Sequence, residues 1–283
     1  MTWRHEVLRL SDRAGGTSGD VSKLPLILQT RMESSRFPGK ALKPLAGTTV
    51  FEVLLERLRR CRRIESVVIA TTDRPADDAL AALAGEHGIP CFRGSSEDVL
   101  SRVLACAERF GFESFVKLWG DSPLIDPALI DSVVFQTLFR HPDFDYASNN
   151  HPSTFPEGQQ LELIRTSKLA ELAAHHSITT HDREHVTLPF LRANDVVLVN
   201  YALSISQHDL GRLVVDFPED LTFLQDLCVA LGADYLDAGY PAMAELLLQR
   251  PELSDVNRHH YVAPEEYFRR IELARMADAG GAA

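Results

Sequence analysis

Short apolar runs that alternate with segments of helical periodicity constrain the fold of this chain most strongly. The first run, residues 24–30, is followed from Thr49 by apolar residues at helical spacing, and the second run covers residues 66–70. The same alternation continues through runs at residues 89–92 and 114–118. Strands that alternate with helices are typical of a parallel sheet whose right-handed crossovers place helices on both faces. The sequence therefore predicts an α/β protein with a doubly wound, mainly parallel sheet.

The alternation breaks after Ser148, where residues 149–158 are rich in Asn, Pro, Ser and Gly. We interpret residues 150–213 as an inserted, smaller α+β excursion from the sheet. The elements predicted within it are a strand at 160–165, helices at 166–175 and 181–192, and an antiparallel strand at 195–202. Residues 212–216 then return to the core as a strand, and a helix is predicted over residues 218–231.

The chain length suits one domain with a full hydrophobic core. It has 283 residues, of which 45% are hydrophobic. We expect this domain to cover residues 24–276, preceded by a flexible leader at 1–23 and followed by a frayed tail at 277–283.

Charge and cysteine usage exclude several classes of function. Asp and Glu number 40 against 29 for Lys and Arg, so the net charge is −11, which argues against nucleic-acid or anionic-membrane binding. No apolar run is long enough to span a bilayer. The cysteines are scattered without metal-site spacing and indicate reduced thiols in a cytoplasmic protein; they are Cys61, Cys91, Cys106 and Cys228.

The loop after the first predicted strand is the most informative segment. It carries Arg31, Arg36 and Lys40 with a Pro-Gly turn, at the sheet edge where open parallel sheets bind ligands. Guanidinium groups and a lysine suit a triphosphate. The loop is not a Walker A motif, because Ser34 stands where that motif needs Gly and Ala41 follows the lysine. A solvated basic loop is the alternative interpretation.

A second arginine cluster looks more basic but is of less interest. It falls on the polar side of the amphipathic helix that begins near Thr49 and on the residues that follow it. We predict a solvated surface for its members, which are Arg57, Arg59, Arg60, Arg62 and Arg63.

Six segments, in order along the chain, carry a resemblance to a known family. They are LILQTRMESSRFPGKALKPLAG, VVIATTD, FRGSSEDVLSR, KLWGDSPLID, DREHVT and VVDFPEDL. The chain resembles the cytidylyltransferases that include the CMP-Kdo synthetases, and most closely their SpsF-like branch of spore-coat polysaccharide biosynthesis. This resemblance implies a Rossmann-like nucleotidyltransferase that takes CTP, transfers CMP to an anionic acceptor and releases pyrophosphate. It also implies a homodimer whose interface lies partly in the excursion.

Nucleotidyl transfer builds negative charge around the α-phosphate, so we expect Mg²⁺ held by one or two carboxylates. Asp121 follows the fourth strand, which in a 3-2-1-4 strand order lies beside the first and faces residues 31–40. Asp121 and Asp216 match the two metal carboxylates of the family. Without the resemblance, Asp216 and Asp220 are ordinary acids at a helix N-terminus.

The remaining site residues are assigned by role. Lys40 and Arg31, with Asp121, are the predicted catalytic groups, and Arg36 is expected to orient the triphosphate. Ser34 and Arg102 complete the predicted nucleotide site. Arg102 lies where the family branch also carries arginine, although a helix-surface arginine is an equally good interpretation.

The acceptor side is predicted from the resemblance alone. Glu162, Arg183 and His185 resemble acceptor-proximal residues of the SpsF-like branch. Glu33 stands where glycine is commoner, and Gln160 where an acid is common, which points to a narrowed or different acceptor preference. An acidic acceptor, either a sugar acid or a phosphonate such as phosphonoformate, would need cations such as Arg183 or a protonated His185.

Two alternatives come from other classes of function. The motif His181-Asp182-Arg183-Glu184-His185 matches the H-x-x-E-H pattern of an inverted zinc metallopeptidase. The other alternative is a non-catalytic module that binds a nucleotide. The pair Asp121 and Asp216 argues against a pure binder, which needs no pair of metal ligands.

Overall fold

A mixed set of strands and helices is seen in the computed structural model, which describes residues 1–8, 22–175 and 177–280. The strands are β1 (Thr2–Val7), β2 (Leu24–Gln29), β3 (Pro44–Leu45), β4 (Thr48–Thr49), β5 (Ile64–Thr72), β6 (Cys91–Gly94), β7 (Ser114–Trp119), β8 (Tyr146–Ser148), β9 (Glu162–Arg165) and β10 (Val197–Ala202). The helices are α1 (Val50–Leu58), α2 (Asp78–Glu86), α3 (Val99–Arg109), α4 (Pro127–Arg140), α5 (Thr166–Ala173), α6 (Thr180–His185), α7 (Pro218–Leu231), α8 (Tyr240–Gln249) and α9 (Pro264–Gly280). Within these ranges no helix has the length and apolar character needed to cross a bilayer.

Eight strands form one sheet in the order β1-β10-β8-β9-β7-β2-β5-β6. Every neighbouring pair is parallel except the two pairs that β9 makes, with β7 and with β8. The doubly wound, mainly parallel fold is therefore confirmed. The first four predicted strands are β2, β5, β6 and β7, and they lie in the predicted 3-2-1-4 order.

Both faces of the sheet are buried, which explains why the central strand β2 is apolar at every position before Gln29. In β2, Leu26 and Leu28 belong to one hydrophobic cluster while Ile27 belongs to the other. Successive side chains of a strand point to opposite faces, so a strand covered on both sides needs apolar residues at every position.

The prediction of a flexible leader is wrong for the first residues. Thr2–Val7 form β1, an edge strand that pairs in parallel with β10 from Thr2 opposite Val197 to Val7 opposite Ala202. The sequence TWRHEV is mostly polar, so backbone pairing, together with the packing of Trp3 against one hydrophobic cluster, positions this strand. Residues 9–21 of the predicted leader lie outside the described part of the chain. The predicted tail is also revised, because α9 continues to Gly280; only residues 281–283 lie outside the description.

The excursion adds strands to the main sheet. Its second strand, β10, is parallel to β8, and the prediction of an antiparallel strand there is wrong. The helix predicted over residues 181–192 ends early, since α6 stops at His185 and Val186 has a φ of 59°. A positive φ in a β-branched residue breaks the helical path, and a short 3-10 turn at Leu188–Leu191 follows.

The arginine cluster after Thr49 divides into two kinds of residue. Arg59 and Arg62 are exposed, as predicted, but the prediction of a solvated Arg57 is wrong. The guanidinium of Arg57 is fully buried and donates to the carbonyls of Ile125 at 3.0 Å and Ala238 at 2.9 Å, with further bonds to the carbonyls of Tyr235 and Leu236. It joins α1 to the loops after β7 and α7.

Candidate active site

Lys40, Asp121 and Asp216 meet at the carboxyl edge of the sheet, and we call them the Lys40 cluster. The Nζ atom of Lys40 lies 2.7 Å from Oδ2 of Asp121 and 2.8 Å from Oδ1 of Asp216. The three residues come from three separate loops, so the fold brings together the lysine and the two carboxylates that the sequence singled out.

The loop that carries Lys40 is held by backbone bonds and one buried acid. Gly39, with a φ of 70°, turns the chain before Lys40 and donates its N–H to the carbonyl of Met32 at 2.8 Å. The N–H of Met32 in turn donates to Oδ1 of Asp77 at 2.6 Å. Asp77 also accepts from the N–H of Thr72 at 2.9 Å. Sequence reasoning missed Asp77, because an acid at a helix start is usually a cap.

Asp121 is positioned by the glycine before it. Gly120 donates its N–H to the carbonyl of Gln29 at 2.9 Å, so the loop after β7 runs against the end of β2. A Cβ at this position would clash with the side chain of Thr30. The glycine therefore permits the close approach that places Asp121 opposite Lys40.

Asp216 reaches the cluster from a segment that is not a strand. Residues 212–216, predicted to return to the core as a strand, have no strand assignment, but Val215 donates its N–H to the carbonyl of Asp121 at 2.8 Å. Asp220 accepts from the N–H groups of Asp216 and Phe217 at 2.9 and 3.0 Å. Asp220 is thus the cap of α7, and the carboxylate of Asp216 turns to Lys40.

Cations surround Asp216. Its Oδ2 atom lies 3.1 Å from Arg36 and 3.7 Å from Arg212. Burial alone would raise the pKa of Asp216, but Lys40, then Arg36 and Arg212, lower that pKa below its ordinary value. Burial would likewise lower the pKa of Lys40, yet Asp121 and Asp216 raise it. Lys40 and Asp216 therefore both stay charged near neutral pH.

A cavity of about 320 Å³ opens on one side of the Lys40 cluster, and we call it the basic cavity. Each predicted nucleotide-binding residue lines it; these are Arg31, Ser34, Arg36, Lys40 and Arg102. Glu33 also lines it and lies 3.6 Å from Arg74, which offsets its charge.

Arg102 is the most unusual cation in the basic cavity. Its side chain is only 1% exposed, so it is not the helix-surface arginine that the sequence also allowed. Its guanidinium contacts the carbonyl of Ser95, but its Nε atom has no hydrogen-bond partner among the described residues. Burial, and then the neighbouring Arg31, lower the pKa of Arg102. A buried guanidinium that is incompletely paired is suited to an anionic ligand.

A second cavity, of about 370 Å³, borders Asp121 and Asp216 of the cluster. We call it the aromatic cavity, because Phe217, His260, Tyr267 and Phe268 line it. Both cavities share Trp119, Arg36 and the two carboxylates of the Lys40 cluster. The carboxylates of Asp121 and Asp216 therefore border both cavities, so groups held in the two cavities would meet at these carboxylates.

Glu157 brings a perturbed carboxyl group to the aromatic cavity. Arg212 contacts its carboxylate and also lies 3.2 Å from Asp220. Burial raises the pKa of Glu157 to about 7, against the influence of Arg212 and with a contribution from Asp216. Glu157 is therefore a group of this cavity whose charge changes near neutral pH.

We expect the stability of the protein to depend on Glu157 between pH 6 and 8. Because the folded pKa is raised, the folded state binds the proton more tightly, and this stabilisation is lost as the pH rises through about 7. Lowering the pH from about 8 to 6 should stabilise the wild type by about 1 kcal/mol relative to Glu157→Gln in thermal unfolding. Equal pH dependence in the two proteins would contradict the raised pKa.

The predicted acceptor residues are placed differently from the nucleotide residues. Glu162 is buried in β9, where it pairs with Lys117 at 2.8 Å and accepts hydroxyl bonds from Tyr146 at 2.8 Å and Thr187 at 2.7 Å. It lines neither cavity, so direct contact with an acceptor is contradicted, because its side chain points into the protein.

The other two acceptor candidates lie on α6. Arg183 binds Asp98, the N-cap of α3, at 2.6 Å, and the ring of His185 lies 4.4 Å from that of His181. Neither residue lines the basic or the aromatic cavity.

Sequence reasoning missed two residues of the aromatic cavity, Tyr267 and Phe268, which lie beyond the segments of resemblance.

Comparisons with known proteins agree with this geometry. The cytidylyltransferase family profile matches residues 26–240. The spore coat polysaccharide biosynthesis protein SpsF of Bacillus subtilis is 29% identical over 80% of this chain and 94% of its own. The 8-amino-3,8-dideoxy-manno-octulosonate cytidylyltransferase of Shewanella frigidimarina is 32% identical over 90% of this chain and 91% of its own. The structure of a cytidylyltransferase from Leptospira borgpetersenii superposes with a TM-score of 0.77 at 28% identity, over 82% of this chain and 97% of that one.

Proposed function

Because the chain belongs to the cytidylyltransferase family, we propose that this enzyme transfers CMP from CTP to a small acidic acceptor and releases pyrophosphate. The observation that carries the proposal is that Asp121 and Asp216 of the Lys40 cluster line both the basic and the aromatic cavity. A nucleotide in the first and an acceptor in the second would meet at the cluster.

The reaction forms one bond and breaks one at the α-phosphorus. An acidic oxygen of the acceptor attacks, and the bond to the β-phosphate oxygen breaks as pyrophosphate leaves with the electron pair. Lys40 and Arg31 neutralise charge on the triphosphate, and Arg36 orients it. Since the acceptor supplies the nucleophile, no covalent enzyme intermediate forms.

Mg²⁺ is the metal ion that this chemistry implies, and the donors of the Lys40 cluster suit it. Carboxylate oxygens are preferred ligands of this hard cation. Those of Asp121 and Asp216 already converge on one cation, the ammonium of Lys40, at 2.7 and 2.8 Å. We assign Asp121 and Asp216 as the residues that would hold the ion, which would supply additional neutralisation of phosphate charge.

The aromatic cavity supports an acidic, polar acceptor. Arg36 and Arg212 present cations to it, while Glu157 and Gln160 offer polar groups to hydroxyls. The octulosonate named for the Shewanella relative is an acidic sugar, and we propose a sugar acid for this chain as well. A phosphonate is the second acceptor class, because it presents the same anionic oxygens in a smaller volume.

Replacement of Arg102 by methionine is expected to weaken nucleotide binding. Loss of a charge-assisted hydrogen bond costs about 1.5–3 kcal/mol, so KM for CTP should rise about 10- to 100-fold while kcat changes less. Methionine fills much of the same buried space, and circular dichroism should be unchanged. Steady-state kinetics at varied CTP measure the effect; an unchanged KM would remove Arg102 from the nucleotide site.

Nucleotide selectivity tests the proposed function. Thermal unfolding should be followed with CTP, UTP, ATP and GTP, each with and without Mg²⁺. At a concentration 100 times Kd, a ligand stabilises the folded protein by about 2.7 kcal/mol. We expect stabilisation by CTP that depends on Mg²⁺ and exceeds that by the other nucleotides. Equal stabilisation by all four would contradict a cytidylyl donor.

We also propose a cytoplasmic homodimer. The four cysteines are free thiols, which supports a reducing compartment. The resemblance to the family supports the homodimer and an interface that lies partly in the excursion. Light scattering on the full chain distinguishes a dimer from a monomer.

A further inference from the structure

The short helix α6 carries three metal-ligand side chains that the proposed reaction does not use. They are His181, Glu184 and His185, which we call the α6 triad. Their spacing of three and four residues places them on one face of the helix. One ligand atom from each lies within 4.8 Å of the others, and the two imidazole centroids are 4.4 Å apart.

Contacts at both ends hold α6 in place. A reciprocal capping box joins Thr179 and Asp182, whose N–H groups donate to the partner side chain at 3.0 and 3.2 Å. The buried carboxylate of Asp182 also binds Arg192. Just after the helix, Thr187 donates its hydroxyl to Glu162 at 2.7 Å. A helix fixed in this way presents its ligands in a constant arrangement, which reduces the ordering cost of binding an ion.

We propose that the α6 triad binds one transition-metal ion of the Zn²⁺ type, at a site separate from the Lys40 cluster. Two imidazole nitrogens and one carboxylate oxygen are a donor set that Zn²⁺ accepts and that Mg²⁺ does not favour. The carboxylate oxygens of Asp121 and Asp216 and the imidazole-rich triad thus favour different ions.

The site is linked to the basic cavity, because Glu184 lines that cavity. The negative charge of Glu184 repels a triphosphate bound in the cavity and lowers its affinity. A dication bound to Glu184 neutralises that charge. This part of the inference rests on the proposed function. We expect Zn²⁺ to raise the affinity for CTP about fivefold, within the usual range of coupling between sites. Glu184→Gln should raise CTP affinity in the metal-free protein and abolish the effect of Zn²⁺.

Metal content of the full chain tests the binding site. The wild type is loaded with Zn²⁺, dialysed, and assayed by elemental analysis, with Co²⁺ absorption as a second readout of histidine ligation. We expect about one ion per chain in the wild type. His181→Ala and His185→Ala should each lose it with unchanged circular dichroism. The matched control is His87→Ala, because His87 also lies near a carboxylate, Glu52 at 3.4 Å, but belongs to no such triad.

Two results would overturn the site. One is the absence of bound Zn²⁺ in the wild type. The other is loss of the ion in His260→Ala but not in the α6 variants, since Glu219, His259 and His260 form a second cluster of similar geometry. CTP turnover with Mg²⁺ is measured in parallel. A protein that turns over CTP but binds no Zn²⁺ refutes the triad alone, whereas a protein that binds Zn²⁺ but no nucleotide refutes the proposed function.

Discussion

Lys40→Met is expected to lower kcat/KM for CTP by about 10³. Lys40 lies within 2.8 Å of both carboxylates of the Lys40 cluster and also lines the basic cavity. Its replacement removes a cation that would neutralise charge developing on the triphosphate, and about 4 kcal/mol of such stabilisation corresponds to about 10³ in rate. Pyrophosphate release at subsaturating CTP measures the effect.

The same substitution should change the electrostatics of the cluster. Among the groups that lower the pKa of Asp216, Lys40 contributes most, so the pKa of Asp216 should rise in Lys40→Met.

Lys43→Met is the matched control for the loss of activity, since Lys43 lies over the ring of Phe37 at 5.4 Å and lines neither cavity. A variant at Lys40 that retained the activity of the Lys43 control would exclude Lys40 from catalysis.

Asp121→Asn is expected to lower kcat by at least about 10² without unfolding the protein. The amide keeps the volume of the side chain but removes one anionic ligand of the ion that would act in the transition state. Lys40 keeps its contact with Asp216 at 2.8 Å, so the loops should stay in place. Turnover at varied Mg²⁺, with circular dichroism of each variant, measures both parts of the prediction.

The control variant for Asp121→Asn is Asp226→Asn, which removes the same charge at a position outside both cavities. Asp226 is exposed on α7, the helix that follows Asp216, and lines neither cavity. Asp226→Asn should keep full activity. Normal turnover by Asp121→Asn at every Mg²⁺ concentration would show that the metal assignment is wrong.

The strand order explains why the approach of Lys40 and Asp121 to each other could be predicted from the sequence. The carboxyl ends of β2 and β7 are neighbours in a 3-2-1-4 sheet, so the loop with Lys40 and the residue after β7, Asp121, must face each other. Asp216 is different, because its segment has no strand assignment and reaches the cluster by a bond from Val215 to the Asp121 carbonyl. Only the family resemblance singled it out.

The residues that sequence reasoning missed depend on distant contacts. Arg57 lies on a helix followed by arginines, and nothing local shows that four carbonyls from distant loops surround its guanidinium. The helix α9 brings Tyr267 and Phe268 to the aromatic cavity from far along the chain. Glu162 was assigned to the acceptor by the resemblance alone, and the residues that pair with it inside the protein, Lys117, Tyr146 and Thr187, come from other segments of the chain.

Direct detection of the transferred group tests the central claim. The wild type is incubated with Mg²⁺, CTP labelled at the α-phosphate, and sugar acids or phosphonates, and the products are identified by mass spectrometry. The account predicts that the label moves to a CMP–acceptor conjugate, with one pyrophosphate released per transfer and no label on the protein. A labelled CMP–protein adduct, or transfer from another nucleotide in preference to CTP, would contradict it.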